Sequence, residues 1–447
     1  FITCKYKFNI LSAGAAVMEK LVILGGAKLS GEVEISGAKN SAVAILAASI
    51  MVKGKCRIDN VPHVSDIDVL LDIINGLGGQ AKFVEKGVVE IDCTNLNKYE
   101  ADWETVRRIR ASSYLMGALL GRFGHARVGM PGGCDFGVRP IDQHIKGFKI
   151  LGADVEVDHG MVDLKADKLV GDNVYLDVVS VGATINIMLA AALAEGVTVI
   201  ESAAKEPHIV DVANFLNCMG ATVKGAGTDV IKIRGVSELH GGEFSVIPDQ
   251  IEAGTFMIAA AATGGDVTIT NIIPKHMESL SAKMEEMGVI IDEYDEAIRV
   301  HTDGKPLKCA NVKTQPYPGF PTDLQPQVLT LLTTAKGTSL VTENVWDNRF
   351  KYVDELNRMG AKISVDGKVA AVEGRSKLMG APVYATDLRA GAAMVIAGLM
   401  AQGVTEIYNL KYIDRGYENL EAKLKSLGAQ IARRTISTSK PSISDVG

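Results

Sequence analysis

The chain has 447 residues, of which 47% are hydrophobic and 22% charged, so it can form two or three globular domains with a large buried core. Its formal net charge of −6 argues against a nucleic-acid-binding protein, which normally carries a basic surplus. The six cysteines are scattered without a C-x-x-C pair, and the eight histidines form no metal-binding pattern. We therefore expect reduced thiols, a cytoplasmic location and no metal.

The two ends of the chain differ in composition from the rest. Residues 1–17 look like a short signal peptide, but Asn9 and Ser12 interrupt the apolar run and Met18 is the natural start. No apolar run reaches the roughly 18–20 residues that a membrane helix needs. We expect residues 1–17 to be a leader outside the fold, and residues 433–447, rich in Ser, Thr and Lys, to be a loose tail.

A short signature, Leu or Met followed by Gly and a small residue, recurs along the chain. Its glycines are Gly78, Gly152, Gly220, Gly288, Gly360 and Gly428, separated by 74, 68, 68, 72 and 68 residues. Such similar spacings predict six structural repeats of about 70 residues.

Most repeats share one order of elements. An Ala-rich apolar helix comes first, and a short alternating strand follows it. A second, amphipathic helix is then capped by the signature glycine, and a further strand begins. The predicted first helices span 41–50, 183–194, 254–262 and 391–400, the second helices include 210–219 and 417–427, and the strands include 197–200, 221–224 and 267–270.

The predicted fold class is therefore α/β, with six repeats of βαβαββ type. Six units divide most simply into two domains of three, 39–247 and a second made of 18–38 plus 248–432. We expect the strand at 33–36 to pair within the second domain, and the ligand site to lie in the cleft between the domains.

Polar and charged side chains cluster where the first helix of each repeat begins. The runs are Ser36–Asn40, Arg110–Ser113, Ser180–Thr184, Asp249 with Glu252, Pro321–Asp323 and Thr386–Arg389. Helix N-termini attract anions, so six of them directed at one cleft would bind phosphate and carboxylate groups.

Simple N-capping is the better explanation for Ser112, Thr255 and Thr386. It does not explain Lys39, Arg110 or Arg389, because a cation opposes the helix dipole at that end. These three cations therefore indicate an anionic ligand.

Two further arginines and one loop add to this pattern. Arg349 and Arg415 lie at matching places in repeats five and six, between a strand and the second helix. The glycine-rich stretch from Pro131 to Gln143 carries Cys134 at its tip, which is typical of a mobile loop that presents a thiol to an anionic ligand. A surface turn with a chance cysteine is the plainer alternative.

Together these residues resemble the UDP-N-acetylglucosamine 1-carboxyvinyltransferase family over residues 18–432. The matching runs are 35–40, 131–134, 137–142, 180–184, 320–323 and 413–418. The resemblance implies two inside-out α/β barrels, each of three repeats, that close over the substrates. It implies transfer of the enolpyruvyl group of phosphoenolpyruvate to the 3-hydroxyl of UDP-N-acetylglucosamine, with release of phosphate. That reaction is the first committed step of peptidoglycan synthesis, and it involves two small molecules, no cofactor, no nucleic acid and no membrane.

The resemblance also implies roles for individual residues. It assigns phosphoenolpyruvate to Lys39, Asn40, Arg139 and Arg415, with Arg349 and Arg389 nearby. It assigns the sugar nucleotide to Arg110, Arg139, Pro140, Ile141, Asp142, Gln143, Val178, Val179, Ser180, Val181, Asp323 and Val345. Ser65, Val178 and Gln250 stand where some relatives carry a cation, which affects the uridine or diphosphate contacts.

The chemistry needs a base for the sugar hydroxyl and an acid for the methylene carbon. Asp323 is the candidate base, and we expect burial or a like-charged neighbour to raise its pKa. Cys134 is the candidate acid, since a thiol with a pKa of about 8.5 is mostly protonated at neutral pH. The resemblance implies that Cys134 is also the thiol that fosfomycin alkylates, and nearby cations would favour the reactive thiolate. Asp387 is expected to assist the elimination of phosphate, and Asn40 is expected to orient phosphoenolpyruvate. Helix-start and surface roles suffice for Asp249, Glu206 and Asp211.

Three alternatives stay open at this point. The sister reaction on shikimate 3-phosphate uses the same repeat architecture. Six α/β repeats could also build a non-catalytic ring such as a DNA clamp, although the net charge of −6 disfavours it. The third alternative is a relative that binds the nucleotide sugar without turnover.

Overall fold

The computed structural model describes residues 17–101, 103–130 and 140–437. Its mixed α/β fold confirms the predicted class. Across these ranges, every helix is too short or too polar to cross a lipid bilayer.

The strands are short, and most of them come as hairpins or as single strands that follow a helix. They are β1 (Val17–Leu24), β2 (Ser30–Glu34), β3 (Val52–Asp59), β4 (Gln80–Glu85), β5 (Val88–Asp92), β6 (His125–Gly129), β7 (Asp154–Asp158), β8 (Met161–Lys165), β9 (Asn173–Tyr175), β10 (Val197–Glu201), β11 (Thr222–Lys224), β12 (Val230–Arg234), β13 (Leu239–Ser245), β14 (Asp266–Thr270), β15 (Ile290–Glu293), β16 (Ala297–His301), β17 (Val312–Lys313), β18 (Thr338–Thr342), β19 (Lys362–Asp366), β20 (Val369–Glu373), β21 (Pro382–Tyr384), β22 (Val404–Tyr408) and β23 (Gln430–Ser437).

Apart from the four-residue α3, the helices alternate between apolar and amphipathic ones. They are α1 (Lys39–Ser49), α2 (Ser65–Gly76), α3 (Trp103–Val106), α4 (Tyr114–Phe123), α5 (Asp142–Ile150), α6 (Val181–Ala192), α7 (Pro207–Cys218), α8 (Gln250–Ala262), α9 (Glu278–Met287), α10 (Gln325–Leu332), α11 (Val353–Arg358), α12 (Leu388–Met400) and α13 (Leu420–Ser426). Short 3₁₀ turns span Arg110–Ser113, Pro274–Met277, Thr322–Leu324, Arg349–Tyr352 and Leu410–Tyr412.

The strands of the described ranges form six small sheets, one for each glycine signature. Five have four strands, with one parallel neighbour followed by two antiparallel ones; their orders are β13-β3-β5-β4, β9-β10-β12-β11, β2-β14-β16-β15, β17-β18-β20-β19 and β21-β22-β1-β23. In the three-stranded sheet β6-β8-β7, a single parallel bridge between Glu100 and Arg127 takes the place of the parallel strand.

Each signature glycine ends a helix and precedes a strand by two residues. All six have φ between 94° and 102°, a left-handed conformation that favours glycine because it has no Cβ. The capping role predicted for these glycines is therefore confirmed.

The predicted first helices are confirmed as α1, α6, α8 and α12, but each begins two to four residues earlier than the apolar run suggests. Three of them are capped from outside that run. The side chains of Ser180, Asp249 and Asp387 accept hydrogen bonds from the first N–H groups of α6, α8 and α12.

The N-capping roles predicted for Ser112, Thr255 and Thr386 are wrong. Ser112 donates to the Ile109 carbonyl at 2.7 Å, and Thr255 donates to the Ile251 carbonyl at 2.8 Å inside α8. The Thr386 hydroxyl only reaches the Asp387 carboxylate, at 3.4 Å. In α8 and α12 the neighbouring aspartates take the cap instead, because a carboxylate oxygen satisfies two N–H groups at once.

The strand β1 ties the beginning of the chain to its end. It lies between β22 and β23, and its register runs from Val17 opposite Ser437 to Leu24 opposite Gln430. The expectation of a loose tail from residue 433 is therefore wrong for residues 433–437, because β1 supplies their hydrogen-bond partners. Val17 likewise belongs to β1 and not to the predicted leader, while residues 1–16 and 438–447 lie outside the described ranges.

The expected pairing of the strand near residue 33 with the second half is confirmed. Residues 30–34 form β2, which pairs in parallel with β14, with Val33 opposite Ile269.

The buried apolar side chains form two clusters. One extends from Ala38 to Val246, and the other combines Leu21–Ile35 with Ile251–Ile431. In the first, α4 packs against α1 and α6; in the second, α8, α10 and α12 pack against one another. We call each cluster, together with the helices, strands and loops that surround it, the first core and the second core.

Two adjacent segments carry the chain from one core to the other. The Ala38 N–H donates to the Ile247 carbonyl at 2.7 Å, and the Asp249 N–H donates to the Ser36 carbonyl at 2.9 Å. These crossings place the starts of α1 and α8 side by side at the junction of the two cores.

Candidate active site

One group of charges joins residues from both cores around Asp66. The ammonium of Lys39, at the start of α1, lies 2.9 Å from Asp66 Oδ2. Arg415, which follows β22 in the second core, donates from Nε to Asp66 Oδ1 at 2.8 Å and from Nη2 to Oδ2 at 3.4 Å. Two cations predicted to bind the same donor molecule therefore meet at one carboxylate.

Asp66 is a residue that sequence reasoning missed. Burial alone would raise its pKa, but Lys39 and Arg415 outweigh burial and hold the pKa below its usual value. An acidic residue in the first turn of α2 gives no specific sequence signal, because Asp68 is an acidic residue in the same turn. The contacts with Lys39 and with Arg415, 349 residues away along the chain, distinguish Asp66 from Asp68.

A second group of charges surrounds Asp323 in the 3₁₀ turn before α10. Arg389 donates to Asp323 Oδ2 from Nε at 3.2 Å and from Nη2 at 3.1 Å. Arg349 donates to Oδ1 at 3.4 Å. The charge of Arg110, from the first core, also lowers the pKa of Asp323. The Arg110 guanidinium lies 5.7 Å from the ring centroid of Trp346 in the second core. Three cations predicted from the helix starts and the repeat pattern are thus brought to one carboxylate.

The predicted direction of the Asp323 pKa shift is wrong. Burial would raise the pKa of this carboxyl, as expected, but the charges of Arg389, Arg349 and Arg110 hold it well below its usual range. Asp323 is therefore ionised at neutral pH in this structure, in the form that can accept a proton.

Asp249 connects the two groups. Its Oδ2 accepts a hydrogen bond from the Lys39 N–H at 3.0 Å, while Oδ1 caps α8. Burial would lower the pKa of Arg389, but Asp323, Tyr417 and Asp249 raise it, which places Asp249 close to the Asp323 group as well. The helix-start role predicted for Asp249 is confirmed, and it fastens two helix starts, α1 and α8, together.

A buried polar network that was not predicted supports Arg389. The Tyr417 hydroxyl lies 2.9 Å from Thr255 Oγ1 and 3.3 Å from Gln327 Nε2. The Arg389 guanidinium lies 5.5 Å from the centroid of the Tyr417 ring. The aromatic residue two positions after Arg415 was part of the quoted family run, but its sequence neighbours give no sign of this contact.

The remaining acidic candidates separate clearly. Asp387 is buried, and its Oδ1 accepts from the N–H groups of Arg389 and Ala390 at 2.9 and 3.2 Å, so capping accounts for its position and its catalytic role stays a prediction. The surface role predicted for Asp211 is wrong, because it is buried and accepts from the Ser41 hydroxyl and, at 3.2 Å, from the Ile247 N–H. Burial raises its pKa to about 6.

Glu206 stands at the start of α7, in agreement with a helix-start position. It precedes α7 without a capping hydrogen bond from its side chain, and one carboxylate oxygen is buried without a partner in the described part of the chain. It is close enough to the half-buried His208 to oppose the lowering of that residue's pKa by burial, as Asp323 and Asp249 also do. His208 is therefore within electrostatic range of acids from both cores.

The residues predicted to hold the sugar nucleotide form a neighbouring surface of the first core. Gln143, in the first turn of α5, donates to Asp177 Oδ2 at 3.2 Å and accepts from the Asp177 N–H at 2.9 Å. This pair fastens Pro140–Gln143 to the segment Val178–Val181, in which Val178 and Val179 are exposed. Val345 in the second core is also exposed, and its N–H donates to Glu343 at 2.8 Å.

His144 lies between these two segments and was not predicted. Burial lowers its pKa to about 4, and its Nδ1 is buried without a partner among the residues that the structure describes. A neutral imidazole is therefore present beside the start of α6.

Two predicted residues, Cys134 and Arg139, lie outside the described residues. The thiol and its loop therefore stay predictions. Asn40 is described, within the first turn of α1 and partly exposed.

Known proteins resemble this chain in sequence over most of its length. The family model for EPSP synthase (3-phosphoshikimate 1-carboxyvinyltransferase) matches residues 23–424. The chain is 62% identical over 417 residues to the UDP-N-acetylglucosamine 1-carboxyvinyltransferase of Clostridium botulinum, covering 93% of this chain and 100% of that protein. It is 59% identical over 418 residues to UDP-N-acetylglucosamine 1-carboxyvinyltransferase 3 of Caldanaerobacter subterraneus subsp. tengcongensis, covering 93% and 99%.

A solved structure supports the same assignment. The enolpyruvyl transferase NikO from Streptomyces tendae is 28% identical, with a TM-score of 0.86 over 94% of this chain and 100% of that one. The chain belongs to the enolpyruvyl transferase family and is a transferase. Its full-length relatives at 59–62% identity place it in the branch of the UDP-N-acetylglucosamine 1-carboxyvinyltransferases.

Proposed function

We propose that this chain transfers the enolpyruvyl group of phosphoenolpyruvate to the 3-hydroxyl of UDP-N-acetylglucosamine and releases phosphate. The observation that carries the proposal is the meeting of Lys39 and Arg415 at the junction of the two cores, beside a separate ionised Asp323. A reaction between a polyanionic donor and a sugar alcohol needs both features, cations for the donor and a base for the alcohol. In the cell this reaction is the first committed step of peptidoglycan synthesis, and we place it in the cytoplasm.

The donor is held by cations. Phosphoenolpyruvate carries a carboxylate and a phosphate, which Lys39, Arg415 and Arg139 bind directly, with Asn40 orienting. Arg349 and Arg389, which form ion pairs with Asp323, are further cations near the donor. The positive field offsets the charge that develops when phosphate leaves.

Proton transfer begins the reaction. The Cys134 thiol gives its proton to the methylene carbon of the donor while the sugar 3-oxygen bonds to the neighbouring carbon, and Asp323 takes the hydroxyl proton. Phosphate then leaves with the proton that Asp323 took, and the Cys134 thiolate takes back one methyl proton, which restores the double bond; Asp387 assists this elimination. The negative charge of the bound donor would partly neutralise Arg349 and Arg389. The pKa of Asp323 would then rise, so Asp323 becomes a stronger base once the donor is bound.

The acceptor lies along the first core. Pro140–Gln143 and Val178–Val181 form one wall for the nucleotide, and Arg110, Asp323 and Val345 approach its sugar from the junction. The partly exposed Asp323 is positioned to meet a hydroxyl, since 29% of its side chain is accessible while Arg349 and Arg389 are almost fully buried.

The finer architecture is proposed from the two cores. We assign 39–247 to one domain and 18–38 with 248–432 to the other, each an inside-out barrel of three repeats with apolar helices at its centre. The complete burial of α8 and α12 along most of their length supports this arrangement.

The direct test is release of phosphate from phosphoenolpyruvate with each acceptor in turn. We expect turnover with UDP-N-acetylglucosamine and none with shikimate 3-phosphate. The reverse preference would establish the sister reaction. Tight binding of UDP-N-acetylglucosamine without phosphate release would establish a binding protein.

The acid is tested by Cys134→Ser, with Cys218→Ser as the matched control because Cys218 is an exposed thiol away from the site. We expect Cys134→Ser to lower turnover about 100-fold and to abolish inactivation by fosfomycin, because the serine hydroxyl is a far weaker acid and nucleophile. Undiminished inactivation of Cys134→Ser, measured as loss of phosphate release over time, would contradict the assignment.

A further inference from the structure

Asp66 receives hydrogen bonds and charge from both cores at once. Its Oδ1 accepts from Arg415 Nε at 2.8 Å, and its Oδ2 lies 2.9 Å from Lys39 Nζ. Next to it, the Ser65 N–H donates to the Asp414 carbonyl at 3.2 Å. The first turn of α2 is therefore fastened to the segment that carries Arg415 by both backbone and side chain.

The carboxylate lies behind the two cations as seen from solvent. The Asp66 side chain is 3% exposed, whereas those of Lys39 and Arg415 are 12% and 14% exposed. Asp66 is fixed in the first turn of a twelve-residue helix, so its position is set by the backbone. The cations therefore keep some accessible surface, while Asp66, which is buried, contacts them from the protein side.

Stabilisation of a helix start does not explain this arrangement. Asp68 lies in the same first turn and interacts equally with the helix dipole. It is about half exposed, and within the described ranges its one ion-pair partner is His63, at 3.2 Å. Burying a carboxylate is costly unless it is paired, and Asp66 is paired with two of the three cations that the proposed function assigns to the donor.

We propose that Asp66 is a positioning residue that holds Lys39 of the first core and Arg415 of the second at a fixed spacing for the anionic donor. Two cations brought together repel each other, and an anion between them removes that repulsion and orients the planar guanidinium. The lowered pKa of Asp66 keeps this anion ionised at neutral pH. The inference rests on the proposed function, because it concerns the same donor site.

The test compares Asp66→Asn with Asp68→Asn, the same change in the same turn of the same helix. In Asp66→Asn we expect the KM for phosphoenolpyruvate to rise about 10- to 100-fold, because the cations lose their spacing. The KM for UDP-N-acetylglucosamine should change by less than about twofold, and Asp68→Asn should behave as the unchanged protein. Asp66→Glu, which restores the charge on a longer side chain, should recover part of the donor affinity.

Two outcomes would overturn the proposal. A lower KM for phosphoenolpyruvate in Asp66→Asn would show that the carboxylate competes with the donor instead of positioning its partners. Equal increases in both KM values, with a matching fall in thermal midpoint, would show a structural role only. Retained binding of UDP-N-acetylglucosamine by calorimetry identifies a folded variant.

A double-mutant cycle measures whether Asp66 acts through Arg415. If it does, Asp66→Asn combined with Arg415→Lys should lower kcat/KM by clearly less than the product of the two single losses, because only the part of the Asp66→Asn loss that comes through Lys39 is left to add. Multiplying losses would show independent action and contradict the proposal. The unchanged protein is assayed first, because absence of phosphate release there refutes the proposed function, whereas an active protein with a normal Asp66→Asn variant refutes this inference alone.

Discussion

The two charge groups at the junction of the cores each pair a carboxylate with cations, but the buried member is the cation in one group and the carboxylate in the other. Around Asp323 the carboxylate is the accessible member, at 29%, and Arg349 and Arg389 are buried, at 2% and 5%. Around Asp66 the carboxylate is buried, at 3%, and Lys39 and Arg415 are the accessible members, at 12% and 14%. In each group the buried partner fixes the charge that faces the ligand.

This difference separates the two roles that the proposed reaction needs. An accessible carboxylate with cations behind it stays ionised and can accept a proton from a hydroxyl. Accessible cations with a carboxylate behind them can bind an anion in a fixed geometry. The chemistry of a group is thus decided by which member of the ion pair is buried, and not by the kinds of residue present.

Replacement of Asp323 should have the largest effect and would break the comparison most directly. We expect Asp323→Asn to lower kcat about 1,000-fold, because the amide cannot take the hydroxyl proton. Steady-state phosphate release is the measurement, and Asp347→Asn, an exposed carboxylate paired with Lys368 at 2.8 Å, is the control. Retention of more than a tenth of the activity would exclude Asp323 as the base.

Asp211 sharpens the comparison because its hydrogen-bond donors, the Ser41 hydroxyl and the Ile247 N–H, are neutral. Its pKa is raised from 3.8 to about 6, so folding favours the protonated form. The contribution of Asp211 to the free energy of unfolding is therefore fully present below about pH 4, and it is lost as the pH rises through about 6. Asp211→Asn keeps an acceptor oxygen without the charge, and we expect it to raise the free energy of unfolding at pH 7.5 by on the order of 2–3 kcal/mol.

Urea denaturation at pH 7.5 and at pH 4 measures this effect. The gain in Asp211→Asn should disappear at the lower pH, where the carboxyl of the unchanged protein is protonated. A variant that is less stable than the unchanged protein at both pH values would contradict the burial argument.

Replacement of Tyr417 should have the smallest effect. Tyr417→Phe removes the hydroxyl that meets Thr255 and Gln327 but keeps the ring near Arg389. We expect a loss of about 1 kcal/mol in the free energy of unfolding and less than tenfold in kcat. Tyr294→Phe, at an exposed tyrosine, is the control. A loss of kcat above 100-fold would show that the hydroxyl takes part in the chemistry itself.

The amino-acid sequence determined the features that depend on local backbone geometry and apolar pattern. The signature glycines were predictable because positive φ after a helix favours a residue without Cβ, and the apolar helices were predictable because they are buried on every side. Lys39, Arg349, Arg389 and Arg415 were recognisable because cations at those places have no role in the elements themselves.

Only the tertiary structure decided how those charges act. The pKa of Asp323 depends on Arg110, Arg349 and Arg389, which come from different repeats. Asp66 differs from Asp68 through Lys39 and through Arg415, which is 349 positions away. The strand that ends at Ser437 likewise exists because β1 supplies its hydrogen bonds. Electrostatic and pairing energies depend on distances in space, and those distances are set by how the six repeats pack together.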